Sequence, residues 1–256
     1  VAQSGTAFIT LAAALLISAC QPARPTSGPG SKGGYISTKA TKTDVGDGNA
    51  GTRVYTFVPD VLKGGTKAPV VVVLHGFELL APEIYQGLID DLNHQGYIVV
   101  FPAYNKGGFG ITNDTDQNAM LARAVASTRS AISALGSKAD TSKVYLFGHS
   151  LGGLVAASWT GAGGIAPAGI VLANPSTSGA AGIPDFLSGI VTVTPIPWQT
   201  KVPATRAPTV ILTGDNDTIA PPAEAIGLFD KLTSASSRAV YELQGDATQQ
   251  PAIQAD

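Results

Sequence analysis

Short apolar runs of strand length alternate with longer segments of helical periodicity from residue 53 onward, and this alternation restricts the fold more than any other feature. The run at 70–74 is apolar at every position, which is typical of a strand buried on both faces of a sheet. The segment at 115–135 carries apolar residues at helical spacing. Strands that alternate with helices predict an α/β fold, with a mostly parallel twisted sheet and helices on both faces.

The same sequence patterns predict the domain, the loops and the secondary-structure elements along the chain. Residues 174–206 contain five prolines, so we expect a loop or a small cap there, inside one domain at 52–256. Little sequence follows 243, so we expect the fold to lack a C-terminal helix. Strands are predicted at 53–58, 70–74, 97–101, 143–147, 170–173, 209–213 and 239–243, and helices at 82–94, 115–135, 151–159 and 222–232.

The first residues read as a targeting segment. The apolar run at 7–18 is too short to span a bilayer as a helix, and it leads into the tetrad Ile-Ser-Ala-Cys that ends at Cys20. This tetrad resembles the bacterial lipobox, a resemblance that implies cleavage before the cysteine and acylation of its sulfur. We therefore expect a signal peptide at 1–19, lipidation of Cys20 and a membrane-anchored protein of the cell envelope. A secretory signal with an incidental cysteine is the alternative.

Composition removes several classes of function. Residues 21–51 are rich in Gly, Pro, Ser, Thr and Lys, which predicts a flexible linker. The net charge of −2 and the scattered basic residues argue against nucleic acid as a partner. One cysteine makes no internal disulfide, and no Cys/His cluster or nucleotide-binding glycine motif is present, so we expect no metal and no cofactor. We expect a monomer.

One motif points to chemistry. Gly148-His149-Ser150-Leu151-Gly152 matches the pattern G-x-S-x-G and stands between a predicted strand and a predicted helix. A serine on such a sharp turn needs neighbours without side-chain bulk, which Gly148 and Gly152 provide. The start of the following helix favours negative charge near the serine. The motif therefore predicts that Ser150 is a nucleophile.

Three stretches in this order resemble the α/β-hydrolase family: VVVLHGF at 71–77, GHSLGG at 148–153 and VILTGDNDTIAPP at 210–222. Within that family, the pattern is most similar to secreted cutinases, polyester hydrolases and chlorophyllase-like esterases. The resemblance implies a serine esterase or lipase that cleaves a small or polymeric carboxylic ester through an acyl-enzyme intermediate.

The resemblance also assigns roles to residues. The backbone amides of Phe77 and Leu151 would form the oxyanion hole. Asp217 would be the acid that orients the catalytic imidazole, with Asp215 as the alternative. The position of the base is occupied by Thr248 or Gln249, neither of which accepts and returns a proton near neutral pH.

No histidine follows His149 in the sequence, which also contains His75 and His94. Of these, His75 is the least unsuitable substitute for the base, and His94 is expected to be structural. Because the base is missing, a second hypothesis stays open: an inactive envelope lipoprotein that keeps the hydrolase pocket for binding. Hydrolysis of a peptide or a lactone by the same residues is a third possibility.

Overall fold

The computed structural model describes residues 26–27, 31–107, 114–178 and 193–245. The chain divides into two compact units, residues 1–34 and 35–256. The described part of the first unit contains a 3₁₀ turn at Lys32–Gly34. Within the described ranges, no helix has both the length and the apolar composition that crossing a membrane requires.

The second unit is built on one sheet, to which the described residues contribute eight strands in the order β1-β2-β4-β3-β5-β6-β7-β8. Strands β1 and β2 are antiparallel to their neighbours, and β4, β3, β5, β6, β7 and β8 run parallel. The strands are β1 Ala40–Val45, β2 Arg53–Pro59, β3 Ala68–Leu74, β4 Ile98–Ala103, β5 Ala139–His149, β6 Gly169–Ala173, β7 Thr209–Gly214 and β8 Arg238–Leu243. All seven predicted strands are therefore found.

Helices connect the parallel strands, close to the predicted positions. The helix predicted at 82–94 begins as a 3₁₀ turn, Pro82–Tyr85, with proline at the first position, where its missing amide hydrogen costs no helical hydrogen bond. The Asp116 side chain accepts a hydrogen bond from the Ala119 amide and caps the next helix. The helices are α1 Gln86–His94, α2 Gln117–Leu135, α3 Leu151–Ser158, α4 Trp198–Lys201 and α5 Pro222–Lys231.

Apolar side chains fill both faces of the sheet. On one face, Ile89 of α1 packs against a cluster that includes Val71 and Phe101. On the other face, α2, α3 and α5 pack against the alternate residues of the same strands, such as Val72. Neighbouring residues of one strand therefore lie in two separate cores. This arrangement explains why the run at 70–74 is apolar at every position. The predicted α/β fold is confirmed.

Strand β1 corrects the prediction of a flexible linker at 21–51. Residues 40–45 pair with β2 along their whole length, from Ala40 opposite Pro59 to Val45 opposite Val54. Every residue of β1 is exposed. The strand is therefore held by main-chain hydrogen bonds to its neighbour rather than by burial of its side chains.

The stretch predicted as irregular at 174–206 is partly ordered against the core. It contains α4, and Ile196 and Val202 are buried beside this helix. The Thr205 hydroxyl donates to the carbonyl oxygen of Ala157 in α3, at 2.8 Å. Apolar side chains override the breaking effect of the prolines here, so residues 196–206 pack on the main domain. Residues 179–192 lie outside the described residues.

Candidate active site

Ser150 lies on the sharp turn between β5 and α3. Its backbone has φ 53° and ψ −121°, a left-handed conformation that is strained for any residue with a Cβ. The Ser150 amide donates to the carbonyl oxygen of Ala173 at the end of β6, at 3.1 Å. The residue is buried, with 8% of its surface exposed. The strand, turn and helix thus hold the serine where the motif predicts it.

The glycines of the motif have no room for a side chain. A Cβ on Gly148 would lie 2.3 Å from the carbonyl oxygen of Gly152. A Cβ on Gly152 would lie 2.1 Å from the carbonyl oxygen of Leu74 in β3. Helix α3 therefore begins in direct contact with the end of β3, which brings the serine close to the loop that follows Leu74.

Backbone strain is concentrated at one edge of the sheet. Among the described residues, the non-glycine residues with positive φ are Glu78, Ser150 and Asn174. They follow β3, β5 and β6, which are neighbours in the sheet and end at the same edge because they are parallel. Strained residues persist where the surrounding structure holds them, and they are frequent at active sites.

The two predicted oxyanion donors lie in suitable segments. Leu151 is the first residue of α3, so its amide has no intrahelical acceptor. Phe77 follows Gly76, and a Cβ built on Gly76 would lie 3.4 Å from the Cβ of Ser150. The loop that carries Phe77 therefore passes beside the nucleophile. The Phe77 ring is partly buried against the core.

A hydrogen-bonded group that the sequence did not reveal joins this loop to the elbow. The Gly76 amide donates to the Tyr85 hydroxyl oxygen at 2.8 Å. The same oxygen lies 2.9 Å from Nδ1 of His149. Burial lowers the pKa of His149, and the nearby negative charge of Asp217 opposes that shift. The imidazole next to the nucleophile is therefore bound on one nitrogen by a tyrosine.

The two candidate acids differ in their surroundings. Asp217 is 3% exposed, and its Oδ1 accepts from the amides of Ile219 and Ala220 at 2.9 and 2.8 Å. Asp215 is half-buried, and its Oδ1 accepts from the Gly245 amide at 3.0 Å. Asp217 thus lies in a fixed turn after β7, whereas Asp215 holds the chain that leaves β8. This arrangement favours Asp217 for the role of the acid.

His75 is in no position to act as a base. Its ring is fully buried and stacked on Tyr104, with 4.0 Å between the ring centroids. Nδ1 donates to the Gly76 carbonyl at 2.6 Å, and Nε2 accepts from the Tyr104 amide at 3.4 Å. Burial lowers the pKa of His75 to about 4. One ring nitrogen thus binds the backbone of the loop after β3, and the other binds the backbone that follows β4.

His94 lies at the other end of the domain. It is the last residue of α1, and its ring stacks on Tyr35 with 4.8 Å between centroids. Helix α1 runs from the carboxyl end of β3 to the amino end of β4, so His94 is at the edge opposite Ser150. This position agrees with a structural role.

Several predicted positions are outside the described residues. Thr248, Gln249 and Cys20 belong to this group. In the described part of the chain, no group of three or more His, Cys, Asp or Glu side chains is arranged to hold a metal ion.

Comparison with known proteins assigns the family. Residues 65–196, more than half of the 256-residue chain, match the family described as serine aminopeptidase, S33. The chain belongs to this family of α/β hydrolases. No curated protein matches the sequence.

Solved structures share the fold at low sequence identity. A carboxylesterase from Lactobacillus plantarum WCFS1 is 16% identical with a TM-score of 0.63, over 82% of this chain and 84% of that one. A monoacylglycerol lipase from Paleococcus ferrophilus is 19% identical with a TM-score of 0.54, over 81% and 90%. Puromycin hydrolase is 18% identical with a TM-score of 0.59, over 81% of this chain, which spans only 35% of that protein.

Proposed function

We propose that this protein is a carboxylic-ester hydrolase that works through an acyl-enzyme intermediate on Ser150. The observation that carries the proposal is the strained conformation of Ser150 at the start of α3, beside the loop of Gly76 and Phe77. A serine in this position presents its hydroxyl to a carbonyl carbon while two backbone amides face the developing oxyanion. Removal of one such donor costs about 10²–10³-fold in rate in other serine hydrolases.

The proton of Ser150 needs an acceptor. Asp217 would orient an imidazole in the loop after β8 and stabilise its positive charge. By the family resemblance, Thr248 or Gln249 stands at the position expected for that imidazole. We infer that a histidine introduced at one of these two positions would supply the base.

The chemistry of the leaving group favours an ester over an amide. An activated ester expels a phenolate without help, whereas an amide must have its amine protonated as it leaves. A site whose proton-transfer group is weak therefore loses less activity on esters than on peptides. This argument supports an ester substrate even though the family takes its description from an aminopeptidase.

The test compares the full chain with its Thr248→His and Gln249→His variants, each also in a Ser150→Ala background. Rates are measured on nitrophenyl butyrate and on an aminoacyl nitroanilide. We expect one histidine variant to hydrolyse the ester at least about 10²-fold faster than the parent chain, and to lose this activity with Ser150→Ala. Background ester rates in both histidine variants would reject the proposal, and a preference for the anilide would make the protein a peptidase.

A second candidate function is ligand binding without turnover in the cell envelope. It is favoured by one observation: the two positions where the resemblance places the base, Thr248 and Gln249, carry no histidine. This candidate predicts that the parent chain binds a non-hydrolysable ester analogue, such as a ketone, and that neither histidine variant gains activity. Ester turnover by the unmodified chain would exclude it.

We also propose a lipid anchor on Cys20, on the basis of the lipobox resemblance. The test is mass spectrometry of the protein expressed in a bacterial host, with Cys20→Ser as the control. A diacylglyceryl adduct on Cys20 that is lost in the variant supports the anchor. An N-terminus with an unmodified cysteine thiol contradicts it.

A further inference from the structure

We propose that Tyr85 is a positioning residue for the oxyanion hole, because its hydroxyl connects the Gly76 amide to the imidazole of His149. This inference rests on the proposed function, since it assigns a second role within the same site. The hydroxyl oxygen lies 2.8 Å from the Gly76 nitrogen and 2.9 Å from Nδ1 of His149. Gly76 directly precedes Phe77, a predicted oxyanion donor, and His149 directly precedes Ser150, the predicted nucleophile.

The direction of each hydrogen bond follows from the donors present. The Gly76 amide supplies its own hydrogen, which leaves the hydroxyl proton for the lone pair on Nδ1 of His149. Burial raises the pKa of the Tyr85 hydroxyl, so it remains a donor across the physiological range. Burial also lowers the pKa of His149, which favours the neutral imidazole that this hydrogen bond needs.

The bond to the Gly76 amide fixes the His75–Gly76 peptide plane, which directly precedes the plane that contains the Phe77 amide. Gly76 is held on its other side as well, because its carbonyl oxygen accepts from Nδ1 of His75 and from the Leu79 amide. With both polar groups of Gly76 bound, the orientation of the next amide, that of Phe77, is restricted. An oxyanion donor needs this fixed direction, since an amide that must reorient during the reaction contributes less.

The bond to His149 fixes the other half of the site. His149 is the last residue of β5, and Ser150 and Leu151 follow it directly. The Tyr85 ring is itself held by the core cluster around Phe101, with 5.7 Å between the two ring centroids. One rigid hydroxyl therefore sets the distance between the loop that carries Phe77 and the turn that carries Ser150 and Leu151.

The variant Tyr85→Phe keeps the ring and removes the hydroxyl. Tyr97→Phe is the matched control, because Tyr97 packs against the same core cluster and lies away from the site. Each change is made in the unmodified full chain. Where a histidine variant hydrolyses esters faster than this chain, the change is also made in the more active of Thr248→His and Gln249→His. Thermal unfolding of all forms separates a loss of positioning from a loss of folded protein.

Two measurements decide the outcome. In the active form, we expect Tyr85→Phe to lower kcat by about 10–100-fold with KM within about threefold of the reference, because transition-state contacts rather than substrate binding are affected. By NMR, we expect hydrogen exchange of the Gly76 amide to accelerate by at least about tenfold, and the Nδ1 signal of His149 to shift. Tyr97→Phe should change none of these quantities.

Unchanged kcat in Tyr85→Phe, or unchanged exchange of the Gly76 amide, overturns the proposal. If no form hydrolyses esters, the proposed function fails, and amide exchange together with the His149 signal decides the positioning role by itself.

Discussion

Gly152 lies so close to Leu74 that a methyl group at Gly152 would stand 2.1 Å from the carbonyl oxygen of Leu74. This contact joins the first turn of α3 to the end of β3, and it sets how near the nucleophile comes to the oxyanion loop. The approach is possible only because residue 152 has no side chain.

The first prediction concerns this contact. Gly152→Ala forces the helix away from β3, so we expect it to lower the free energy of unfolding by about 2–4 kcal/mol and to abolish ester turnover in the active histidine variant. The matched control is Gly87→Ala in α1, where a Cβ meets nothing within 4 Å. Alanine there should stabilise the protein by about 0.5–1 kcal/mol, because helical glycine is unfavourable. Urea denaturation measures the free energy of unfolding of both variants. Equal effects of the two substitutions would contradict the account.

The second prediction separates the two aspartates. In the histidine variant that is active, Asp217→Asn should lower kcat by about 10³–10⁴-fold, because the imidazole loses its charged partner. Asp215→Asn should leave kcat within about fivefold, because its carboxylate binds the Gly245 amide rather than the site. Steady-state kinetics on nitrophenyl butyrate checks this order. The reverse order would assign the acid to Asp215.

The third prediction is a dependence of stability on pH. Burial lowers the pKa of His75 from 6.5 to about 4 in the folded protein. Below pH 6.5 His75 is protonated in the unfolded chain, whereas in the folded protein it stays neutral until about pH 4. Stability therefore falls across this window as pH decreases. The slope from one such group approaches about 1.4 kcal/mol per pH unit. The lowered pKa of His149 acts in the same direction.

Urea denaturation between pH 4 and pH 7 measures this slope. The variant His75→Gln should have a shallower slope than the parent, whatever its absolute stability. Identical slopes would show that His75 takes up its proton equally in the folded and unfolded states.

The fourth prediction concerns an exposed apolar face. Val171 and Tyr241 lie on the same face of β6, β7 and β8 and are 37% and 57% exposed. We expect Val171→Thr to raise the soluble concentration and to reduce binding of a hydrophobic dye, while stability changes by less than about 0.5 kcal/mol. The control is the adjacent Leu172→Ala on the buried face, which should cost about 2–5 kcal/mol. Unchanged solubility in Val171→Thr would mean that this face does not drive association.

Periodicity predicted the parallel part of the sheet because buried strands leave a clear apolar pattern. Strand β1 has no such pattern, since its six residues are all exposed and resemble the linker before them in composition. It exists because β2 offers unpaired main-chain groups along its edge. Pairing of an exposed strand with its neighbour leaves no apolar pattern in the sequence.

The elbow was predictable for a similar reason, because its glycines and serine are adjacent in sequence. Tyr85 was not, since its spacing marks it only as an apolar-face residue of a helix. Its partners are nine residues away at Gly76 and 64 residues away at His149. Only the folded chain brings these three groups together.

The most direct test of the central claim is covalent labelling of the nucleophile. The Thr248→His and Gln249→His variants are treated with a fluorophosphonate, and the adduct is located by intact mass and peptide mapping. We predict a single adduct on Ser150 in at least one variant, and none after Ser150→Ala. An adduct on any other residue, or no adduct in either variant, would contradict the assignment of Ser150 as the nucleophile.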